Sequence, residues 1–264
     1  MRRVAIYAHY DARGEVKRYV LHSLRRLRDE CDVVHFRSTA ALPAAELAKV
    51  APFCASAELR DNVGVDFSMW RSAITLPGFL DGVDELVLAN SSVFGPMRSL
   101  RPAFERMAGS DVDFWGMTES LQHTWHLQSY FLVFRGRALR HAAFAAFWEG
   151  VLPFRDKAQS IRAYELGLSG WLKGEGLRGA ALAPWNHVKV GHGLVRRRPY
   201  ERPVTNPASC LPFQCLDHGV PFVKVEIFRD NPARTPLPLL RRRMADEGYD
   251  VSLVEFDPPA RLSA

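Results

Sequence analysis

Short apolar runs alternate with stretches of helical spacing across residues 4–89, and this alternation restricts the fold more than any other feature of the chain. Val4-Ala5-Ile6-Tyr7-Ala8 is apolar at every position and follows two arginines, the pattern of a strand buried on both faces. Residues 15–30 then place Val16, Tyr19, Val20, Leu24 and Leu27 at helical spacing. A strand at 32–36, a helix at 43–50 with Pro43 near its start, a strand at 54–59, a helix at 67–74 and a strand at 85–89 follow. Strand–helix alternation of this kind predicts an α/β fold, a mostly parallel twisted sheet flanked by helices. Further on, the pattern predicts a helix at 98–107, strands at 112–115 and 129–134, and helices at 137–150 and 158–173. The chain then turns Pro- and Arg-rich, so residues 1–184 read as a core and 185–264 as a C-terminal extension packing on it.

With 47% apolar residues in 264, the chain can bury a core and is excluded from the disordered class. Lys and Arg number 35 against 29 Asp and Glu, a formal charge of +6. Such an excess suits nucleic acid, an anionic membrane surface or a diphosphate ligand. No zinc finger, helix-turn-helix or single-strand-binding signature accompanies it, which disfavours nucleic acid. The apolar run after Met1-Arg2-Arg3 breaks at His9-Tyr10-Asp11, and the later run at 142–148 is too short for a bilayer; the expectation is a cytoplasmic protein. Cys31, Cys54, Cys210 and Cys215 include no C-x-x-C pair, so a disulfide or zinc site carries little weight. There is no Walker loop, no G-x-G-x-x-G after the first strand and no G-x-S-x-G elbow.

Ligands of open parallel sheets sit beyond the carboxyl ends of the strands. The residues there are His9, Tyr10 and Asp11; Arg60, Asn62, Gly64 and Asp66; Asn90, Ser91 and Ser92; and Gly116, Met117 and Thr118. Arg60 offers a fork to a phosphate, Asn62 an amide to a base or ribose, and Gly64 room for close backbone approach. Asp66 either accepts from a ribose or caps the next helix. Asn90-Ser91-Ser92 ends a strand without a carboxylate, and neutral side chains are poor Mg²⁺ or Mn²⁺ ligands; a plain strand exit closed by Gly95-Pro96 explains it equally. Gln128 and Ser129 could meet sugar hydroxyls, and Trp115 or Trp125 could stack on a sugar ring, yet aromatic residues are also ordinary core, and His126 reads as a structural hydrogen-bonder or a base. Glu165 reads as the opening of a helix, either a base or a capping carboxylate. The runs Arg196-Arg197-Arg198 and Arg241-Arg242-Arg243 are solvated faces or an attraction for anionic lipid.

Taken in order, several segments resemble the rhamnan synthesis protein F (RgpF-like) family. They are residues 4–11, 60–67, 84–96, Asp113-Phe114-Trp115-Gly116-Met117-Thr118, 126–134, Phe147-Trp148 and Tyr164-Glu165-Leu166-Gly167-Leu168-Ser169. Asn206-Pro207, residues 219–224 and Arg229-Asp230-Asn231-Pro232 continue the resemblance. It implies a GT-A-like glycosyltransferase of rhamnose-containing polysaccharide or lipopolysaccharide synthesis, with dTDP-L-rhamnose or another nucleotide sugar as donor. The acceptor would be a lipid-linked or polysaccharide glycan, reached by a protein peripheral to the inner membrane face, with no nucleic-acid partner. On this resemblance His9, Tyr10, Asp11, Arg60, Asn62, Gly64 and Asp66 hold the nucleotide, and Asn90, Ser91 and Ser92 sit by the diphosphate. Trp115, Gly116, Thr118, His126, Gln128 and Ser129 face the acceptor. Ser91 stands where the family commonly has Asp, which argues against the Mg²⁺ or Mn²⁺ that such a site implies. Glu165 becomes the base of an inverting transfer, with Arg60, Lys189, His187 or His192 left to stabilise the diphosphate. The alternative is a non-catalytic nucleotide-sugar or glycan-binding relative.

Overall fold

Strand β1 (Arg3–His9) is buried along its whole length and has a parallel neighbour on each side, as its uninterrupted apolar run requires. In the computed structural model, which describes residues 1–62, 64–154, 156–190 and 206–255, the other strands are β2 (Val33–Ser38), β3 (Ser56–Leu59), β4 (Glu85–Asn90), β5 (Val93–Phe94), β6 (Phe114–Ser120), β7 (His126–Leu127), β8 (Phe131–Arg135), β9 (Gly179–Ala183) and β10 (Val223–Lys224). The main sheet runs β3-β2-β1-β4-β8-β6-β7, with β9 also on β6, and β10 pairs with β5 in a separate ribbon. Strands β1 to β4 are mutually parallel and β9 is parallel to β6, while β8 and β7 run against their neighbours. The sheet is therefore mostly parallel and flanked by helices, the α/β architecture expected. The reversal at β8 has a local cause. The link from β6 to β8 carries no helix to cross the sheet, and a short link returns a strand antiparallel.

The helices described are α1 (Arg18–Arg28), α2 (Ala44–Val50), α3 (Val65–Ile74), α4 (Arg101–Ala108), α5 (Gly136–Leu139), α6 (Ala142–Glu149), α7 (Lys157–Ser160), α8 (Leu166–Gly174), α9 (Trp185–Val190), α10 (Pro207–Cys210), α11 (Pro212–Asp217), α12 (Val225–Arg229) and α13 (Leu237–Asp246). Two of the expected helices differ from the sequence pattern, and α9 to α13 fall in the stretch that the pattern left without helices. The helix expected at 137–150 is split because His141 takes an extended conformation and its ring accepts from the Ala143 amide, capping a new helix. Between α7 and α8, residues Ile161–Glu165 form a π-helical turn.

Strand side chains alternate between the two faces. Ala5, Tyr7, Val87, Ala89, Phe131 and Val133 enter one core, with Val20 and Leu24 of α1 and Phe104 of α4. Val4, Ile6, Leu86, Leu88, Leu132 and Phe134 enter the other, with Trp70 of α3, Trp148 of α6 and Leu172 of α8. Residues 206–255 complete the first core through Leu211, Leu216, Phe222, Ile227, Leu240 and Met244. The arginines of α13 are partly structural: Arg243 pairs with Asp217 and Glu247, and Arg241 lies over the Phe228 ring. All four cysteines are free, and no helix among the described residues is long and apolar enough to cross a membrane.

A buried carboxylate ties three strands together. Glu85 opens β4, with Arg3 Nη2 of β1 at 2.7 Å and Arg135 Nε of β8 at 3.4 Å. Removing one member of a buried ion cluster strands the others without a counter-charge. Glu85→Ala should lower unfolding free energy by roughly 3–5 kcal/mol in urea or guanidinium titration, whereas Arg101→Ala, on the exposed side chain that pairs with Glu30, should cost well under ~1 kcal/mol. Equal midpoints for the two variants would remove Glu85 from this role.

Candidate functional site

The carboxyl ends of β1 and β4 lie side by side, with Ala8 opposite Asn90 and the Ser91 amide donating to the Ala8 carbonyl. Above them opens a cleft of about 630 Å³. One wall comes from the β1 exit and α1 (Tyr10, Asp11, Lys17, Tyr19), another from the start of α3 (Val65, Asp66, Phe67). The floor is Asn90-Ser91-Ser92 with Ser129 and Tyr130; the far side is Ser160, Ile161 and Glu165, then Lys224, Glu226 and Arg229. Of the residues expected from sequence, the cleft thus brings together Tyr10, Asp11, Asp66, Asn90, Ser91, Ser92, Ser129 and Glu165.

Hydrogen bonds fix this floor. Asn90 Nδ2 donates to Asp66 Oδ2 at 2.7 Å, and Asn90 Oδ1 accepts from the Ser92 hydroxyl at 2.6 Å and the Ser92 amide at 3.1 Å. Tyr19 donates its phenol proton to the Ser91 carbonyl at 3.0 Å. Asp11 organises its own loop, accepting from the Arg13 and Glu15 amides, with Lys17 Nζ at 3.6 Å. Asp66 lies one residue inside α3 and is not its cap; Gly64 holds that place with φ +79°. Val65 beside it also has positive φ, +44°, a strained conformation for a β-branched residue, and it lines the cleft.

Glu165 does not open a helix. It closes the π-helical turn and leads directly into α8, so no helix N-terminus stabilises its charge. A π-turn adds a residue to the helical repeat and redirects the side chains that follow, a device frequent at functional sites. Here it accompanies Ile161 and Glu165 in the cleft wall. The Glu165 carboxylate is half-buried and makes no hydrogen bond or ion pair among the described residues.

Other expected residues lie elsewhere. His9 is buried behind the cleft, with Nδ1 2.9 Å from Ser38 Oγ and its ring against Phe36. Arg60 and Asn62 are exposed beyond β3, outside the cleft lining. Gly64 packs against its own chain, where a Cβ would fall 2.8 Å from Pro153 Cα. Trp115 is fully buried between Phe104 and Phe131 and presents no face to a sugar. Gly116 packs against Leu132 and Leu127. Thr118 is buried with its hydroxyl on Gln128 Oε1 and Tyr130 Oη, so Thr118 and Gln128 support the cleft floor from below. His126 is buried on the Thr124 carbonyl, and Trp125 donates to Glu119. His187 faces His218 away from the cleft lining; the Lys189 side chain, His192 and the 196–198 arginines lie outside the described residues.

Sequence reasoning missed Lys17, Tyr19, Lys224, Glu226, Arg229 and Glu255. Lys17 and Tyr19 had a usable signal, since they follow the first strand exit. Lys224 and Arg229 had none beyond their place in the family-like segments, and Glu226 and Glu255 had none at all; the β5–β10 pairing carries Lys224 and Glu226 towards the β4 exit, and Arg18 holds Glu255.

No group of three or more His, Cys, Asp or Glu among the described residues is placed to hold a metal ion. The strand exit offers an amide and two hydroxyls, and the nearest carboxylate, Asp66, already accepts from Asn90. This donor set does not fit Mg²⁺ or Mn²⁺.

The chain is a mostly parallel α/β protein with a polar, charge-lined cleft beyond its strand ends, the place where ligands of such sheets commonly bind. The chain belongs to the rhamnan synthesis protein F (RgpF) family, whose sequence model matches residues 34–257. It is similar to Virulence protein VirA of Vibrio anguillarum, 27% identical over 198 residues, 67% of this chain and 63% of VirA. It is also similar to the uncharacterized protein y4gN of Sinorhizobium fredii, 28% identical over 126 residues, 46% of this chain and 33% of that one. The chain thus spans under two thirds of these relatives. Among solved structures, a Desulfovibrio desulfuricans G20 protein assigned as a nucleotide-diphospho-sugar transferase superposes with TM-score 0.43 at 13% identity, covering 68% of this chain and 79% of that one. Core-mannan synthase A of Aspergillus fumigatus, in its Mn/GDP form, gives TM-score 0.36 at 9% identity, covering 66% and 70%.

Burial pulls the His9 pKa down to about 4, so the ring is neutral near pH 7. The unfolded imidazole, near 6.5, takes its proton first as pH falls, so stability is lost between about 6.5 and about 4. His22 and His35 are lowered by burial as well and act in the same direction. In thermal melts from pH 7.5 to 4.5, His9→Asn should flatten the acid-side fall in melting temperature; an unchanged slope would show that His9 is not its source.

Proposed function

We propose that the chain is a glycosyltransferase of rhamnan synthesis that transfers a sugar, L-rhamnose from dTDP-L-rhamnose, to a polysaccharide or lipid-linked glycan acceptor. Family membership supports a transferase of this general type. The observation that carries the mechanism is one cleft holding a carboxylate without an internal partner, Glu165, together with the hydroxyl-rich exit Asn90-Ser91-Ser92.

In an inverting transfer the acceptor hydroxyl oxygen bonds to the anomeric carbon as that carbon's bond to the diphosphate breaks. The hydroxyl proton passes to a base on the face opposite the leaving group. Glu165 supplies that base. A carboxylate engaged in a hydrogen bond or ion pair would be weakened for this task, and Glu165 is engaged in neither among the described residues. The Ser91 hydroxyl presents a donor to the diphosphate, on a floor that Asn90 and Ser92 hold in place, and Tyr10, half exposed at the rim, offers its ring to the base. A lipid-linked acceptor implies work at the inner membrane face, reached by peripheral attachment.

A second reading is a nucleotide-sugar or glycan-binding protein without turnover, favoured by the absence of any carboxylate at the Asn90-Ser91-Ser92 exit. Thermal shift with dTDP, UDP and GDP, with and without Mn²⁺, should reveal nucleotide binding under both readings. A donor screen with mass spectrometry of products then separates them. Glu165→Gln should reduce transfer roughly 10²–10⁴-fold while donor affinity stays within about twofold. Full transfer by Glu165→Gln would remove it as the base, and binding without any transfer by the native chain would favour the second reading.

A further inference from the structure

We infer that the Lys224 ammonium is the cation that grips the diphosphate of the donor, doing at the β4 exit what a carboxylate-bound metal would otherwise do; this rests on the nucleoside-diphosphate reading. Its position is fixed by backbone pairing. Lys224 ends β10 opposite Val93 of β5, and the next amide, Val225, donates to the Ser92 carbonyl at 2.9 Å. That ribbon brings the backbone at Lys224 and Val225 to Ser92, and Lys224 lines the same cleft as Ser91 and Ser92.

Its charge is also unspent. Three cations line the cleft in the described residues. Lys17 lies 3.6 Å from Asp11 and 3.8 Å from Glu15. Arg229 is exposed and holds Asp230 through two nitrogens, at 2.8 and 2.9 Å. Lys224 is half-buried, and its ammonium has no hydrogen bond or ion pair among the described residues. A partly desolvated cation without a counter-charge is costly to the empty protein, and that cost is relieved when an anion arrives. The charge of an ammonium is compact, with three donors, and suits phosphate oxygens spread over several directions.

The site needs such a group because its own donors are neutral. As the anomeric carbon–oxygen bond breaks, the electron pair moves onto the diphosphate oxygen, and the acceptor proton goes to Glu165. Lys224 donates hydrogen bonds to the growing negative charge and keeps its own protons throughout, so the step balances without a metal ion. Glu165 and Lys224 then act on the two ends of one displacement, the incoming oxygen and the outgoing one.

The test is titration calorimetry on the full chain in EDTA, with dTDP, thymidine and inorganic pyrophosphate as probes, on the native protein, Lys224→Met and Lys224→Arg. The native chain should bind dTDP without metal. Lys224→Met should weaken dTDP about ten- to hundredfold and leave thymidine unchanged, while Lys224→Arg recovers most of the loss. Folding is checked by the melting temperature without ligand, which Lys224→Met should hold or raise. Unchanged dTDP affinity in a folded Lys224→Met, or dTDP binding only when Mn²⁺ replaces EDTA, overturns the inference. If the native chain ignores dTDP but binds pyrophosphate through Lys224, the dTDP reading fails and the anion grip stands. If it binds neither nucleotide nor pyrophosphate, both fall.

Discussion

A slip of one residue between β1 and β4 would turn every side chain of β4 to the opposite face of the sheet, and the structure guards that register at both ends of the pair. At the amino end, Glu85 lies between Arg3 and Arg135, which is possible only when β1, β4 and β8 are aligned as they are. At the carboxyl end, the side chain of Asn90 is consumed by Asp66 on one side and Ser92 on the other. The two large cores depend on this alignment, because alternate residues of the same strands feed each of them. So does the cleft, since its floor is the pair of strand ends that the register brings level.

The cleft is built by parts of the chain far apart in sequence, and each arrives by a different device. The β1 and β4 exits arrive by sheet pairing. Glu165 arrives through a π-turn in an otherwise continuous helical stretch. Lys224 arrives through a two-residue ribbon, itself anchored because Phe222, Ile227 and Phe228 are buried in the first core. The C-terminal residues therefore have a dual place: their apolar side chains complete the core, and the polar ones between them close the site.

The sheet was largely legible in the sequence because buried strands must be apolar on both faces, and runs such as 4–8 and 85–89 leave few alternatives. Strand direction at β8 was not, since apolar periodicity carries no sign; only the helix-free link from β6 reveals it. Among site residues, those immediately after β1 and β4 were legible from topology alone. Trp115 was misread because an aromatic residue near a polar segment looks the same in sequence whether it faces a ligand or the core; its place on β6 turns it inward. Thr118 and Gln128 look like ligand-binding residues for a related reason: buried polar side chains that satisfy each other have the composition of a site. Glu165 was found as a residue but not in its setting, because a π-turn leaves the helical pattern almost unchanged.

The positive excess of the whole chain is not what would draw an anion into this cleft. Its described lining carries five carboxylates, Asp11, Asp66, Glu165, Glu226 and Glu255, against Lys17, Lys224 and Arg229. The excess of +6 sits elsewhere, part of it in structural contacts such as those of Arg3, Arg135 and Arg243. At physiological ionic strength, exposed charges beyond about 8 Å are largely screened. On the proposed reading, affinity for a diphosphate comes from contacts made inside the cleft, where screening is weaker. Asp11 is offset by Lys17, Asp66 by the Asn90 amide, and Glu255 by Arg18 at 3.5 Å. With those acids answered locally, the lining charges whose side chains have no hydrogen-bonded or ion-paired partner among the described residues are Glu165, Glu226 and Lys224, and Glu165 and Lys224 are the two that the proposed displacement uses. One is suited to take a proton and the other to hold an anion, the opposite requirements of the two ends of a glycosyl displacement.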